Sequence, residues 1–537
     1  MRQREASNIL RCEKRKYLQK VLKEAEQDFA SHNTRDLYKK VNFLSKKYKQ
    51  PEKVLKNDDG TLITFKEDIA NKWANYFRQL LNCNTPDNLF HFENMETNNT
   101  ICLAPSKEEV QEHIRNLKNH KAPGEDGIPG EFLKNIGNGL LEYVSELIKE
   151  VWEKEVIPEE WQTALIYPIH KKGDKQVCDN YRGIALLNVT YKVLSKCILN
   201  RIKPWAEDIL GDYQAGFRQN RSTTNQIFIL KQIFQKMWEF NREVHVLFID
   251  FKKAYDCIHI GSLLNVLRQF KLSQKLINLV KANILHTEIK IKVGNILSQG
   301  ISVSTDFRQE DALSPILFNI ALEKVIRKSR IEENGIRLGG CIIGVLAYAD
   351  DIVLLAQNKE NLKGQAGKLL STVKRIGLKI NAEKTEYLIM QRGEVADHVH
   401  LFLEVGQYKF RRVKEFKYLG SILTEKNDEL TEIKARLQSG NKCYYGLSNM
   451  LKARSISKNL KIQLYRTFIR PVVMYGCETP MGRTCMEKRR NSNTNGSMWE
   501  SPRKETPRMT QTKMGRPSQE GRTNNRSKGR MEYHSDR

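Results

Sequence analysis

Apolar residues recur along this chain in two rhythms, and the breaks in each rhythm carry most of the information. In EDIANKWANYFRQLL (67–81), Ile69, Trp73, Tyr76, Phe77 and Leu80 share one stripe at helical spacing. Helical patterns also run through the Lys/Arg-rich residues 1–50 and through 429–470. SKEEVQEHIRNLK opens with a capping box of Ser106 and Glu109. HKAPGEDGIPGEFLK (120–134) is a Pro/Gly-punctuated loop entering a helix, and NYRGIALLNVTYKVLSKCILNRIKPW (180–205) turns into a long one. A further helix is expected to begin after Pro315 in DALSPILFNIALEKVIRKS (311–329). The second rhythm is the short apolar run of a buried strand. WQTALIYPIHKKGD (161–174) gives a strand and a basic turn, and VHVLFIDFKKAYD (244–256) a strand that ends on an acid. CIIGVLAYADDIVLLAQN (341–358) reads as a hairpin, LKGQAGKLLSTVKRIGLKI (362–380) as a helix and strand, and FKYLGSIL (416–423) as a short strand with a turn. NDDGTLI (57–63) is a tight turn, and the polar stretch 82–100 a linker.

The 537 residues leave room for about two to four domains. The formal charge of +27 favours a polyanionic partner, either nucleic acid or an acidic membrane face. The ten cysteines form no CxxC pair, so neither a zinc knuckle nor a disulfide framework is signalled. No apolar run approaches the roughly 18 residues of a membrane span. A soluble intracellular protein, cytosolic or nuclear, is the expectation. From Met474 onward there is no Ile, Leu, Val, Phe or Ala, and residues 481–537 hold 14 Lys/Arg against 6 Asp/Glu. A segment with so little to bury cannot offset its ordering entropy, so 479–537 reads as a disordered basic tail.

The sharpest break is Asp350–Asp351 inside AYADDIVLLA. Burying adjacent carboxylates is costly unless something positive waits beside them. Two-metal phosphoryl chemistry needs carboxylates on rigid elements around ions roughly 3.5–4 Å apart. Adjacent acids at a hairpin, facing a third at the end of a strand, meet that need, and Asp250 terminates VLFI. Mg²⁺ suits such hard oxygen donors. Read singly, ADD is an exposed turn and Asp250 a helix N-cap; read together in a basic chain they point to a metal pair.

In this order and spacing, FIDFKKAYD, QEDALSPILFN, AYADDIVLLA, LKINAEKTEYL and FKYLGSIL resemble the successive palm motifs of non-LTR (LINE-type) retrotransposon reverse transcriptases. APGEDGIPGEFLK, HKKGDKQVCDNYRGIALLNVTYKVL and YQAGFRQNRSTTNQI are similar to other motifs of that family, and the resemblance covers roughly residues 30–478. It implies an α+β right-hand polymerase with fingers, a palm built on a small antiparallel sheet, and a helical thumb. The implied layout is a basic helical extension and linker over 1–100, fingers with part of the palm over 101–245, palm over 246–400, and grip and thumb over 401–478. Asp250, Asp350 and Asp351, with the Phe251 carbonyl, would hold two Mg²⁺. Lys171 and Arg182 would grip the triphosphate, Tyr255 would be a gate against a ribose 2′-hydroxyl, and Gln309 would lie near nucleotide and template. Lys384 would be the general acid for pyrophosphate, and Tyr418 and Gly420 the primer grip. Asp256 reads as structural and His170 as incidental. The implied partners are an RNA template, a DNA primer or target, and deoxynucleoside triphosphates, with no membrane.

The pattern departs from the family in three places. DFRQEDALSP carries Asp306 and Glu310 where relatives have glycines, as in GLRQGDALSP. Glutamate brings bulk and negative charge toward a phosphate-rich cleft. The chain after YGCET loses its hydrophobic periodicity. No His/Asp/Glu constellation for an endonuclease precedes residue 100, so nicking would be supplied by another chain. These departures keep open an alternative, a catalytically inactive nucleic-acid-binding remnant of a decayed element. A maturase-like splicing factor is a weaker third reading.

Overall fold

A computed structural model of the chain describes residues 2–45, 54–57, 59–82, 98–285, 287–294, 296–303, 310–393 and 401–477. All lie in one unit, Met1–Gly482; a second unit, Arg483–Arg537, lies wholly outside the described residues. So do the expected tail, most of the 82–100 linker, Asp306 and Gln309.

The centre of the molecule is a six-stranded sheet in the order Val345–Tyr348, Asp351–Ala356, Val244–Ile249, Glu386–Met390, Tyr408–Arg412, Phe402–Val405. Every pairing is antiparallel except Glu386–Met390 with Tyr408–Arg412. Alternate strand residues feed different cores. Leu247, Ile249, Ile352, Leu354, Tyr387 and Ile389 point into the larger one. Val246, Phe248, Val353, Leu355, Leu388 and Met390 point into a second. Both faces are therefore covered, which is why these strands read as continuous apolar runs rather than alternating ones. Helices Val189–Ile209, Ile260–Gln269, Ser314–Ser329 and Lys359–Val373 back the larger core. Helix Thr223–Glu239 and the hairpin Glu415–Tyr418/Ser421–Thr424 back the other. A second, five-stranded sheet draws on chain both before and after strand Val244–Ile249, with Thr163–His170 between Tyr181–Leu186 and Thr287–Val293.

Helices Arg2–Ala30 and Thr34–Ser45 build a third core with the C-terminal helices. Leu22, Ala25, Leu37 and Val41 meet Leu447, Met450, Ile456, Leu460 and Leu464. Tyr38 packs on Phe468 with ring centroids 5.2 Å apart, and Glu26 accepts from the Ser457 amide at 3.0 Å.

Four local expectations need adjustment. The helix at 314 begins one residue before Pro315, because a proline in the first turn lacks only an amide that would be unpaired there anyway. Cys341–Ile343 pairs with Ile336–Leu338 rather than joining the acid hairpin. The strand expected at 378–380 is a single bridge, Ile380 to Phe251. Ser106 caps its helix through the Glu109 amide, but the Glu109 carboxylate reaches Arg201. No described helix is long and apolar enough to cross a membrane, and all eight described cysteines are free.

Candidate active site

Asp250 follows strand Val244–Ile249, and a ladder of short contacts from the NAEKTEY segment fixes it. The Asn381 amide donates to Asp250 O at 2.8 Å, and Asn381 Nδ2 to Oδ2 at 3.0 Å. The Asp250 amide donates to Thr385 Oγ1 at 3.2 Å, and Lys384 Nζ lies 3.8 Å from Oδ2. Bonds from Lys252 N to Lys379 O and from Asn381 N to Asp250 O flank the Phe251–Ile380 bridge. Phe251 is thus in a wide pair, whose own carbonyl turns away from the neighbouring strand.

The register Ile352↔Ile249 brings Asp351 to the same end of the sheet as Asp250. Tyr348 pairs with Asp351, leaving Ala349 and Asp350 as a two-residue turn. Ala349 has φ +56°, a conformation in which a turn of this length prefers glycine. The YQAGFR segment holds it there. Gln214 Oε1 accepts from the amides of Ala349 and Gly216, each at 2.8 Å. Ala215 N donates to Ala347 O at 2.8 Å, and Ala347 N to Tyr213 O at 2.9 Å. A Cβ on Gly216 would collide with the Ala349 backbone, so this segment approaches closely only because it carries glycine.

The acids repel one another. Asp350 holds its proton more tightly than a free carboxyl, chiefly through burial and next through the charge of Asp250. Asp351 is exposed, yet the protein packed around it, then the charges of Asp350 and Asp250, push it up to about 6. The Lys171 charge opposes both shifts and Arg182 opposes that of Asp350, so both basic residues face the acids. They come from the other sheet: Arg182 lies opposite Ile169, and Lys171 N donates to Asn180 O at 2.8 Å. Tyr255 packs on Phe318 at 4.7 Å between centroids; its hydroxyl is buried without a hydrogen-bond partner. Burial, then the Asp350 charge, raises its pKa.

The hairpin that carries Tyr418 and Gly420 closes with Tyr418 opposite Ser421. Leu419 and Gly420 have φ +44° and +93°. Tyr418 is buried against Phe248 at 5.8 Å, and burial, then the Asp351 charge, raises its pKa. His170 is occupied locally, with Nε2 3.1 Å from Gly173 O.

Sequence reasoning passed over Asn381, Thr385 and Gln214. Asn381 and Thr385 sat within motifs quoted for a neighbour, and the signal for Gln214 was its place two residues before Gly216. Glu310 is exposed with φ +84°, a backbone that glycine adopts freely and glutamate does not. Its charge steadies the half-buried Lys192 ammonium against desolvation. Asp311 beside it is structural, receiving the Tyr191 hydroxyl at 3.0 Å and the Ser195 hydroxyl.

Among the described residues, the group of three ligand-bearing side chains drawn within 4.8 Å of one another is Glu109, His113 and Cys197. It is poorly suited to a cation, since Arg201 already pairs with Glu109 and burial pushes the Cys197 thiol up to about 12. Asp250, Asp350 and Asp351 stand wider than that, as repelling carboxylates do; donors shared by two ions need not converge on one point.

A central sheet with acids at one end, basic residues facing them from a second sheet, and helices after it is the α+β arrangement expected of a right-hand polymerase fold. Residues 169–423 match the family described as reverse transcriptase (RNA-dependent DNA polymerase). The match covers just under half of the chain, and it is the family that the sequence motifs resemble. It is 24% identical over 441 residues to a probable RNA-directed DNA polymerase from transposon BS of Drosophila melanogaster, covering 78% of this chain and 48% of that one. It is 23% identical over 388 residues to a Pol polyprotein from the type-1 retrotransposable element R2 of Popillia japonica, covering 70% and 52%. It is 24% identical over 389 residues to the RNA-directed DNA polymerase from mobile element jockey of Drosophila melanogaster, covering 70% and 41%. The chain spans about half the length of these relatives. The solved structure of apo telomerase from Candida tropicalis is similar at a TM-score of 0.35 with 14% identity, over 53% of this chain and 58% of that one, a likeness too loose to bear on function.

Proposed function

We propose that this chain extends a DNA primer along an RNA template by transferring deoxynucleotides to the primer 3′-hydroxyl. One observation carries the reading: Asp250, Asp350 and Asp351 gather at one sheet end and hold excess negative charge that Lys171 and Arg182 face but do not cancel. The donor set fits a pair of divalent ions, since hard carboxylate oxygens and the raised proton affinity of two of them call for more positive charge. Asp250, Asp350 and Asp351 with the Phe251 carbonyl would hold two Mg²⁺, which when bound supply charge stabilisation at the attacking and leaving oxygens.

The protein's own groups do the rest. Lys171 acts as a point charge and Arg182 as a planar fork on the triphosphate. Tyr255 stands beside the acids as a wall against a 2′-hydroxyl, its phenol buried without a hydrogen-bond partner. Lys384, already 3.8 Å from Asp250, is placed to give a proton toward the leaving pyrophosphate. Tyr418 and Gly420 form the turn that grips the primer, and Gln309, outside the described residues, would complete the nucleotide pocket. Phosphate contacts dominate binding, so affinity falls steeply with salt. The layout of fingers to 245, palm to 400 and thumb to 478 belongs to this proposal, as does work in the cytosol or nucleus.

One observation favours the second reading, an inactive binding remnant. Glu310 holds a left-handed backbone that glycine adopts freely, and it adds a negative charge where the resemblance expects a phosphate-rich cleft. Primer extension on poly-rA/oligo-dT with Mg²⁺ decides. The polymerase reading expects incorporation that Asp350→Asn abolishes and that Glu310→Gly raises about five- to tenfold. Tight binding with no incorporation until Glu310→Gly restores it supports the remnant.

A further inference from the structure

We propose that Tyr475, with Arg436 and Glu432, is a clamp that positions the grip turn, and through it the primer terminus, relative to the acids. It rests on the reading of Tyr418–Gly420 as the primer grip. Tyr475 belongs to the YGCET stretch, to which no role has been given above.

The contacts close a loop around the turn. The Tyr475 hydroxyl lies 2.6 Å from Leu419 O and 2.9 Å from Thr223 Oγ1. With one proton to give, it donates to the carbonyl and accepts from the threonine. The Arg436 guanidinium lies over the Tyr475 ring at 4.8 Å, and its Nη2 donates to Gly420 O. Arg436 Nε donates to Glu432 Oε1 at 2.6 Å, and Glu432 Oε2 accepts from the Ile422 amide at 2.8 Å. Three main-chain groups in and beside the turn are thus held by side chains from 432, 436 and 475. Glu432 is buried, so its charge is spent on these two partners and not on solvent.

The other end of the clamp is what makes it a positioning device. Thr223 is the first residue of helix Thr223–Glu239. One turn later, Gln226 Nε2 donates to Tyr213 O at 3.0 Å and lies 3.5 Å from Ala347 O in the acid hairpin. A single helix end therefore touches the grip turn through Tyr475 and the acid hairpin through Gln226. Lys231 of the same helix adds a contact to Gly476 O at 3.4 Å. The reacting 3′-hydroxyl must lie within about an ångström of its place for efficient transfer, so a rigid link between these two turns bears on rate.

The test uses the full chain, an RNA template annealed to a DNA primer with 2-aminopurine at its 3′ end, and the same RNA unprimed. Tyr475→Phe removes the hydroxyl and keeps the ring. It should weaken binding of the primed template about five- to tenfold, leave unprimed RNA unchanged, and raise the primer KM with the dTTP KM constant. Arg436→Lys, which keeps the charge but cannot bridge Glu432 and Gly420 at once, should behave the same way. An equal loss on primed and unprimed RNA, or no loss, overturns the clamp. Extension by wild type with an unaffected Tyr475→Phe leaves the polymerase reading intact and removes the clamp. If wild type engages the primer end but does not extend it, the polymerase reading falls, and the primed-to-unprimed ratio still decides the clamp. A wild type that binds both RNAs alike overturns the clamp along with the grip assignment beneath it.

Discussion

The molecule makes two tight turns with left-handed residues and secures them by different means. The acid turn, Ala349–Asp350, is braced from within by one neutral side chain, Gln214, which is 2% exposed and bonds directly to the turn's backbone. The grip turn, Leu419–Gly420, is braced by charged and aromatic groups that arrive from helix Glu429–Gly446 and from Tyr475. Metal-binding carboxylates tolerate little displacement, so a short buried amide contact suits them. The contacts of the grip turn are as short, 2.6 Å from Tyr475 and 2.8 Å from the Ile422 amide to Glu432, but they come from two separate elements and tie the turn to both.

Four measurements test that contrast. Gln214→Ala should do most damage, leaving two buried amides unpaired at a cost of about 2–4 kcal/mol and lowering kcat at least about tenfold while primer KM holds; thermal melting with steady-state kinetics reads both. Gly420→Ala comes next. Its φ of +93° costs a side chain about 1–2 kcal/mol, and the new Cβ would meet the Tyr475 ring at 3.3 Å. Primer KM should rise severalfold with kcat nearly unchanged, the reverse split from Gln214→Ala.

A pH series is the third measurement. Asp351 is raised from 3.8 in the free residue to about 6 when folded, so the unfolded chain gives up this proton first. Stability carried by protonated Asp351 is therefore present at low pH and is lost as pH rises from about 4 to 6. The Tm difference between Asp351→Asn and wild type in chelator should widen over that interval, and Mg²⁺ should narrow it at pH 7.5. A flat difference would mean that the acids do not repel in the folded state. The smallest expected effect is Ala349→Gly, which relaxes the +56° backbone and should raise stability by about 0.5–1 kcal/mol.

What the sequence revealed follows from the range of each interaction. Asp250 and the 350–351 pair were legible because apolar strands make an intruding carboxylate conspicuous, and strand register then brings the acids to one sheet end. Lys171, Arg182, Tyr255, Lys384 and Tyr418 were expected from motif order rather than from any local pattern of their own. Gln214, Glu432, Arg436 and Tyr475 stayed hidden because each acts through a few polar contacts to groups outside its own element. Gln214 to Ala349 spans 135 positions and Tyr475 to Thr223 spans 252, and no local pattern encodes such a pairing. The capping-box glutamate shows the converse: Glu109 fitted a local rule, but a guanidinium 92 residues away offered a stronger partner.

The third core has a consequence for how the protein is made. Leu22, Ala25, Leu37 and Val41 leave the ribosome well before their packing partners, which begin at Leu447. Synthesis at roughly 5–20 residues per second leaves that greasy stripe uncovered for tens of seconds while the central sheet assembles between the two ends. A chaperone has that interval in which to act. A product interrupted before residue 447 would keep the stripe bare and would be a ready target for quality control.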